Sequence, residues 1–153
     1  MIPAQASPFS HFLVLVQLVG IGLVIYVPEE AASAARGSQW MLVVCCVGFV
    51  LAMWTLFHNK IGNFGIYPEP KEEAIFVTSG PYEIVRHPMY LALIIMMVGG
   101  AAYNNGLANY IGMAMVVFSV GLKAKKEEAI LLEQFEGYDE YRRRVKMIIP
   151  RIY

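Results

Sequence analysis

Val77-Thr-Ser-Gly-Pro-Tyr-Glu-Ile-Val-Arg-His-Pro-Met-Tyr90 passes without interruption from a polar turn into a long apolar run. Gly80-Pro81 marks the turn, and Pro88 suits the first turn of a helix, where its missing N–H costs nothing. The stretch therefore sets Tyr82, Arg86, His87 and Tyr90 around a helix start at a boundary between water and an apolar medium. Unbonded N–H groups and the positive end of the helix dipole favour an anion there. Arg86 and His87 can donate to the same anion. About forty residues later Glu127-Glu128 leave the next apolar run on the same side. Cationic and anionic groups gathered on one face suit a zwitterionic ligand. The plainer reading of the same residues is a pair of interfacial anchors, Arg86 and His87, beside tyrosines of an aromatic belt.

The medium is a bilayer. The chain is 58% hydrophobic and 16% charged, against about 45–50% and about 25% in soluble domains, and its mean hydropathy is +0.52. Its 153 residues suit one domain, with two N-terminal helices in 1–57 and the functional region in 58–153. Four apolar segments are visible. Ser10–Val27 and Gln39–Phe57 are long enough to cross a hydrocarbon core of about 30 Å. Met89–Tyr103 and Leu107–Leu122 are shorter, and Asn104-Asn105-Gly106 between them signals a turn. The expected fold is an all-α integral membrane protein with four transmembrane helices. The last two form a helical hairpin, joined by a cytoplasmic loop and C-terminal amphipathic helices.

Four crossings place eleven of the twelve Lys and Arg on one side, leaving only Arg36 on the other. The positive-inside rule makes the richer face cytoplasmic, which implies the inner membrane of the cell. The first segment does not read as a cleavable leader, because no Lys or Arg flanks it and no small-x-small site precedes Pro28. The zero net charge and the lack of a basic patch interleaved with aromatics give no reason to expect nucleic acid.

Cys45 and Cys46 are neighbours within one helix and point apart, so they cannot bridge each other. His11, His58 and His87 show no ligand spacing, and no metal is expected. Ile75–Thr78 has strand-like composition but lacks a partner, within a turn-rich loop over the membrane face. In the tail, Leu131, Leu132, Phe135, Tyr138 and Tyr141 recur at helical spacing, with Gly137 expected to divide two helices. Arg142–Arg144 read alone as an anchor to anionic lipid. Adjacent glutamates point about 100° apart on a helix, so one is expected inward: Glu128 as a paired site residue, Glu127 as a solvated charge. Gly99, Gly100 and Gly112 read as intramolecular packing positions before a dimer face, and the oligomeric state stays open.

The motifs Asn63-Phe64, Pro68-Glu-Pro70, Val77-Thr-Ser-Gly-Pro-Tyr82, Arg86-His-Pro-Met-Tyr90, Glu127-Glu128-x-x-Leu131, Phe135-x-Gly137 and Tyr138-x-x-Tyr141 occur in this order. Together they resemble the isoprenylcysteine carboxyl methyltransferase and phospholipid methyltransferase superfamily of integral membrane enzymes, from about Asn59 to Pro150. The resemblance implies an S-adenosyl-L-methionine-dependent methyltransferase that releases S-adenosyl-L-homocysteine. It implies cofactor contacts from Ile75, Phe76, Val77, Tyr82, His87, Pro88, Tyr90 and Glu128, with Glu128 on the amino group. Arg86, His87, Glu128 and Lys123 are the candidate catalytic residues. The acceptor it implies is a small lipophilic or lipid molecule reached from the bilayer through Met89–Leu122, an isoprenylcysteine-type carboxylate among them. Eukaryotic carboxyl methyltransferases of this kind carry an arginine before the paired glutamates. Here Lys123-Ala-Lys125-Lys126 stands instead, and lysine cannot grip a carboxylate bidentately. Two other readings remain beside it: an NADPH-dependent membrane reductase, and a non-enzymatic membrane assembly protein.

Overall fold

Apolar runs without internal proline give long helices, and the computed structural model contains five α-helices among its described residues. Those residues are 7–27, 37–59, 63, 65–67, 69 and 75–151. Most of the external loop with Arg36, the loop residues Lys60, Phe64, Pro68, Pro70 and Lys71, and the last two residues lie outside them.

Helix α1 runs Pro8–Ile25 and starts with Pro8 behind Ser7, whose hydroxyl accepts from the Ser10 amide. Helix α2 runs Trp40–His58 and α3 runs Pro88–Asn104. Asn105 in the left-handed conformation ends α3, so the Asn-Asn-Gly stretch is the turn its composition predicts. Helix α4 runs Leu107–Gln134 without a break. The sequence reading separated an apolar segment ending at Leu122 from a tail helix beginning at Lys123. Lys, Ala, Glu and Leu between them are strong helix formers, and the two segments are one helix. Gly137, at φ 85°, then separates α4 from α5, Tyr138–Arg144.

Helices α1, α2 and α4 are long and apolar enough to cross a membrane. Helix α3, at 17 residues, rises only about 26 Å. The outer faces of α1 and α2 are apolar and uncovered, with Leu15 60% and Val50 65% exposed. Such faces belong in lipid.

Helix α1 packs along α4 and α2 along α3, while α3 and α4 meet around Val24, Met97, Ala101, Val116 and Val120. Small residues permit the close approaches. A Cβ on Gly99 would lie 2.8 Å from the Met41 carbonyl oxygen, and one on Gly48 2.8 Å from that of Ala92. Gly112 and Gly20 make the matching contact between α4 and α1. At the end of α1, the Asn109 amide donates to the carbonyls of Leu23, Val24 and Tyr26, and Asn104 donates to Val24. Carbonyls that lipid cannot satisfy are thereby paired.

Gly112→Val tests this seam. Its Cβ would sit 2.5 Å from the Gly20 carbonyl oxygen and 2.7 Å from Leu23 Cβ, and backbone cannot yield as a side-chain tip can. A loss of about 1–3 kcal/mol is expected, read as a lower melting temperature in detergent. Gly121→Ala, which meets nothing within 4 Å, should melt like the wild type.

Candidate functional site

The chain around Pro88 is fixed from the tail side. The Arg86 and His87 amides donate to the Lys146 and Met147 carbonyls at 2.8 and 3.0 Å, and Val85 bridges Lys146 in parallel register. Met147 and Ile148 pack beside Tyr90, Leu91, Ile94 and Ala124. The tail therefore folds back onto the start of α3, which brings α4 and α5 over the same helix end.

Arg86 meets Glu128 through two bonds, Nε to Oε1 at 2.6 Å and Nη2 to Oε2 at 2.7 Å. Its Nη1 donates to the carbonyls of Arg142 and Val145. Glu128 is buried, lies 3.1 Å from His87 Nε2, and accepts from the Tyr138 hydroxyl at 3.0 Å. A bidentate, fully bonded pair is the arrangement in which a buried carboxylate and guanidinium are tolerated. Glu128 and Arg86 consequently satisfy each other.

Glu127 points inward as well, contrary to the solvated role expected of it. Helix α4 is flanked by α3 on one side and the tail on the other, so both glutamate directions are covered. Glu127 Oε2 accepts from the Tyr90 hydroxyl at 3.1 Å and lies 3.5 Å from His87 Nδ1. His87 thus stands between the two carboxylates, its ring stacked on Tyr90 at 5.4 Å.

These groups form one wall of a cavity of about 940 Å³ counted to its open mouth. Glu127, Arg86, His87, Pro88, Met89 and Tyr90 line it, and Glu128 and Lys123 do not. His87 makes no side-chain cap to α3. Among the described residues, the Met89 and Tyr90 amides have no backbone partner, and they open the helix at the cavity edge. The adjoining wall is aromatic: Phe76 lies 5.4–5.6 Å from the rings of Phe135, Tyr138 and Tyr141.

Ile75 and Val77, also expected at the site, line the same cavity. No strand forms there; the partner that Ile75 lacked in sequence is the Asn63 side chain. Asn63 accepts from the Ile75 amide at 2.8 Å and donates to its carbonyl at 2.9 Å. It also donates to Asn59, which donates to the Tyr82 hydroxyl at 2.8 Å. Burial pushes the hydroxyls of Tyr82, Tyr138 and Tyr141 well above the usual phenol range. All three remain protonated, and the Tyr141 hydroxyl donates to the Tyr82 carbonyl at 2.6 Å.

Lys123 is buried away from the cavity. Its ammonium donates to Gln17 Oε1 at 2.9 Å and to the Ile66 carbonyl at 2.7 Å, 5.8 Å from the Tyr90 ring centre. One turn on, the Lys126 ammonium donates to Ser7, Ser10 and Glu69 at 2.6–2.7 Å. Burial raises the Glu69 carboxyl, but bonds from Lys126, Ser10 and the Ser7 amide hold it below its usual range. Glu69 lines the cavity. Glu69 lay within the Pro68-Glu-Pro70 motif and Asn59 at the start of the resemblance, but neither was given a site role, because those roles rest on contacts with distant elements.

The model of the phospholipid methyltransferase family matches residues 38–137. A nickel-cobalt-cadmium resistance protein, NccN, of Alcaligenes xylosoxydans xylosoxydans is 26% identical over 161 residues. That similarity covers 97% of this chain and 71% of the relative. A cobalt-zinc-cadmium resistance protein, CzcN, of Cupriavidus metallidurans is 30% identical over 89 residues, covering 57% of this chain and 41% of the relative. With about two thirds of its length matched, including α2, α3, α4 and the paired glutamates, the chain belongs to the phospholipid methyltransferase family, within the isoprenylcysteine carboxyl methyltransferase-like superfamily.

Proposed function

We propose that this protein transfers a methyl group from S-adenosyl-L-methionine to a small lipophilic or lipid acceptor at the membrane. The observation that carries the reading is the cavity itself: an unshared carboxylate edge, a helix start with open amides, and an aromatic wall face one space. Glu127 receives the ammonium of the donor's methionine part, and the amides of Met89 and Tyr90 receive its carboxylate. The Ile75–Val77 backbone, Phe76 and Tyr82 hold the nucleoside part. Arg86 and Glu128 keep the wall in shape, and His87 fixes Glu127. When bound, the donor supplies an electrophilic methyl, and the residues contribute chiefly alignment and exclusion of water.

The whole chain acts as one membrane domain. Helix α3 makes a fourth crossing in this reading, and the sequence segregation of eleven of the twelve Lys and Arg supports a cytoplasmic site at the inner membrane. The acceptor reaches the site from the bilayer along α3 and α4. Among the described residues the nearby Lys and Arg are already engaged: Arg86 by Glu128, Lys123 by Gln17 and Ile66, Lys126 by Glu69. This favours a neutral or cationic nucleophile over an isoprenylcysteine-type carboxylate. A cationic nucleophile would have to lose its proton before or during attack. The names of the two relatives concern metal resistance. Among the described residues no group of three or more His, Cys, Asp or Glu is placed to hold a metal ion, and the proposal assigns none.

Titration of S-adenosyl-L-homocysteine into detergent-purified protein tests the reading. Saturable micromolar binding is expected, with thermal stabilisation that NADPH does not reproduce. Folded protein that binds no S-adenosyl-L-homocysteine would overturn it, and stabilisation by NADPH alone would turn the assignment to a reductase.

A further inference from the structure

We infer that the segment from the end of α5 to Ile149 is a docking surface for anionic phospholipid headgroups. Arg144 and Lys146 meet the phosphate, while Ile84 and Ile149 sit among the outermost acyl carbons. Residues 141–151 contain five cations and no acid. Arg142 and Arg143 pair with Asp139. Arg144 and Lys146 are exposed and have no acidic partner among the described residues.

Position is what gives these charges a ligand. Helix α5 carries its acids, Asp139 and Glu140, in its first turn and its arginines in its last. That last turn approaches the start of α3, where Arg86 reaches the carbonyls of Arg142 and Val145. The chain then descends further, since Met147 and Ile148 pack beside Leu91 and Ile94 in the first two turns of α3. Lys146 and Ile149 therefore lie at the depth where an apolar helix enters the bilayer. Ile84, held one residue from the Val85–Lys146 bridge, is 47% exposed, and Ile149 is 46% exposed. Two uncovered isoleucines flanking unpaired cations at that depth match the apolar and anionic layers of a phospholipid surface. A soluble acidic partner would leave the isoleucines in water. Glu83, exposed beside Ile84, and Glu140, exposed one turn before Arg144 on α5, are acids near these charges, and the five cations of 141–151 outnumber them.

The test is lipid retention by the full chain reconstituted in nanodiscs of equal phosphatidylglycerol and phosphatidylcholine, then exchanged into detergent at about 0.05 M salt. Each exposed cation near a charged leaflet contributes enough for roughly a fivefold preference, so two give roughly thirtyfold for phosphatidylglycerol. R144Q/K146Q should bring retention near parity, whereas Lys125→Gln, on the exposed side of α4, should leave it unchanged. Wild type at about 0.5 M salt should also approach parity, because the screening length falls to a few ångströms; this arm decides the matter if the double variant does not fold. Equal retention of the two lipids by wild type at low salt would overturn the inference. Donor binding plays no part in the readout, so the methyltransferase assignment stands or falls separately.

Discussion

Arg86→Ala is expected to lower the melting temperature in detergent by roughly 6–20 °C. The substitution leaves Glu128 buried without its bidentate partner, a change that costs about 3–5 kcal/mol, and each kcal/mol shifts a domain of this size by about 2–4 °C. It also releases the carbonyls of Arg142 and Val145, so the tail loses its tie to the start of α3. The informative companion is Arg86→Met with Glu128→Met. Removing both charges together relieves the unpaired carboxylate, and most of the lost stability should return. An Arg86→Ala protein that melts within about 2 °C of wild type would show that the pair does not hold this region together.

Glu127→Gln is expected to do the reverse: leave the melting temperature near wild type and weaken S-adenosyl-L-homocysteine binding by roughly 10–150-fold. A glutamine oxygen still accepts from the Tyr90 hydroxyl, but the charge that meets an ammonium is gone, and a charged hydrogen bond contributes about 1.5–3 kcal/mol. Glu128→Gln, by contrast, should act first on stability. Isothermal titration of the two variants side by side separates the roles. Wild-type affinity in folded Glu127→Gln would remove Glu127 from the binding surface.

The contrast between these neighbours shows where sequence reasoning stops. Hydropathy placed the apolar helices within a few residues, because a continuous apolar run has few other stable forms in a bilayer. Gly137 was readable as a break because a left-handed residue after a helix favours glycine. The helix start at Pro88 and the inward face of Glu128 were legible from spacing and cost. Glu127 was not: its direction depends on how α3 packs against α4, which sets His87 and Tyr90 against it. The continuity of α4 past Leu122 was missed because the change from apolar to charged residues marks the limit of the bilayer and not the end of a helix. Asn63 as the partner of Ile75 was equally hidden, since a side chain replaced the strand that pattern rules look for.

The lysines of α4 depend on α1. Gln17 and Ser10 of α1, with Ser7 that caps it, are among the partners of Lys123 and Lys126, more than a hundred positions away in the chain, and α1 lies before the family-matched region at 38–137. A chain cut at the family boundary would deliver two ammonium groups to the membrane edge with nothing to receive them from α1. Helix α1 is thus a socket for the charged end of α4, and trimming the chain to the family-matched residues would remove that socket.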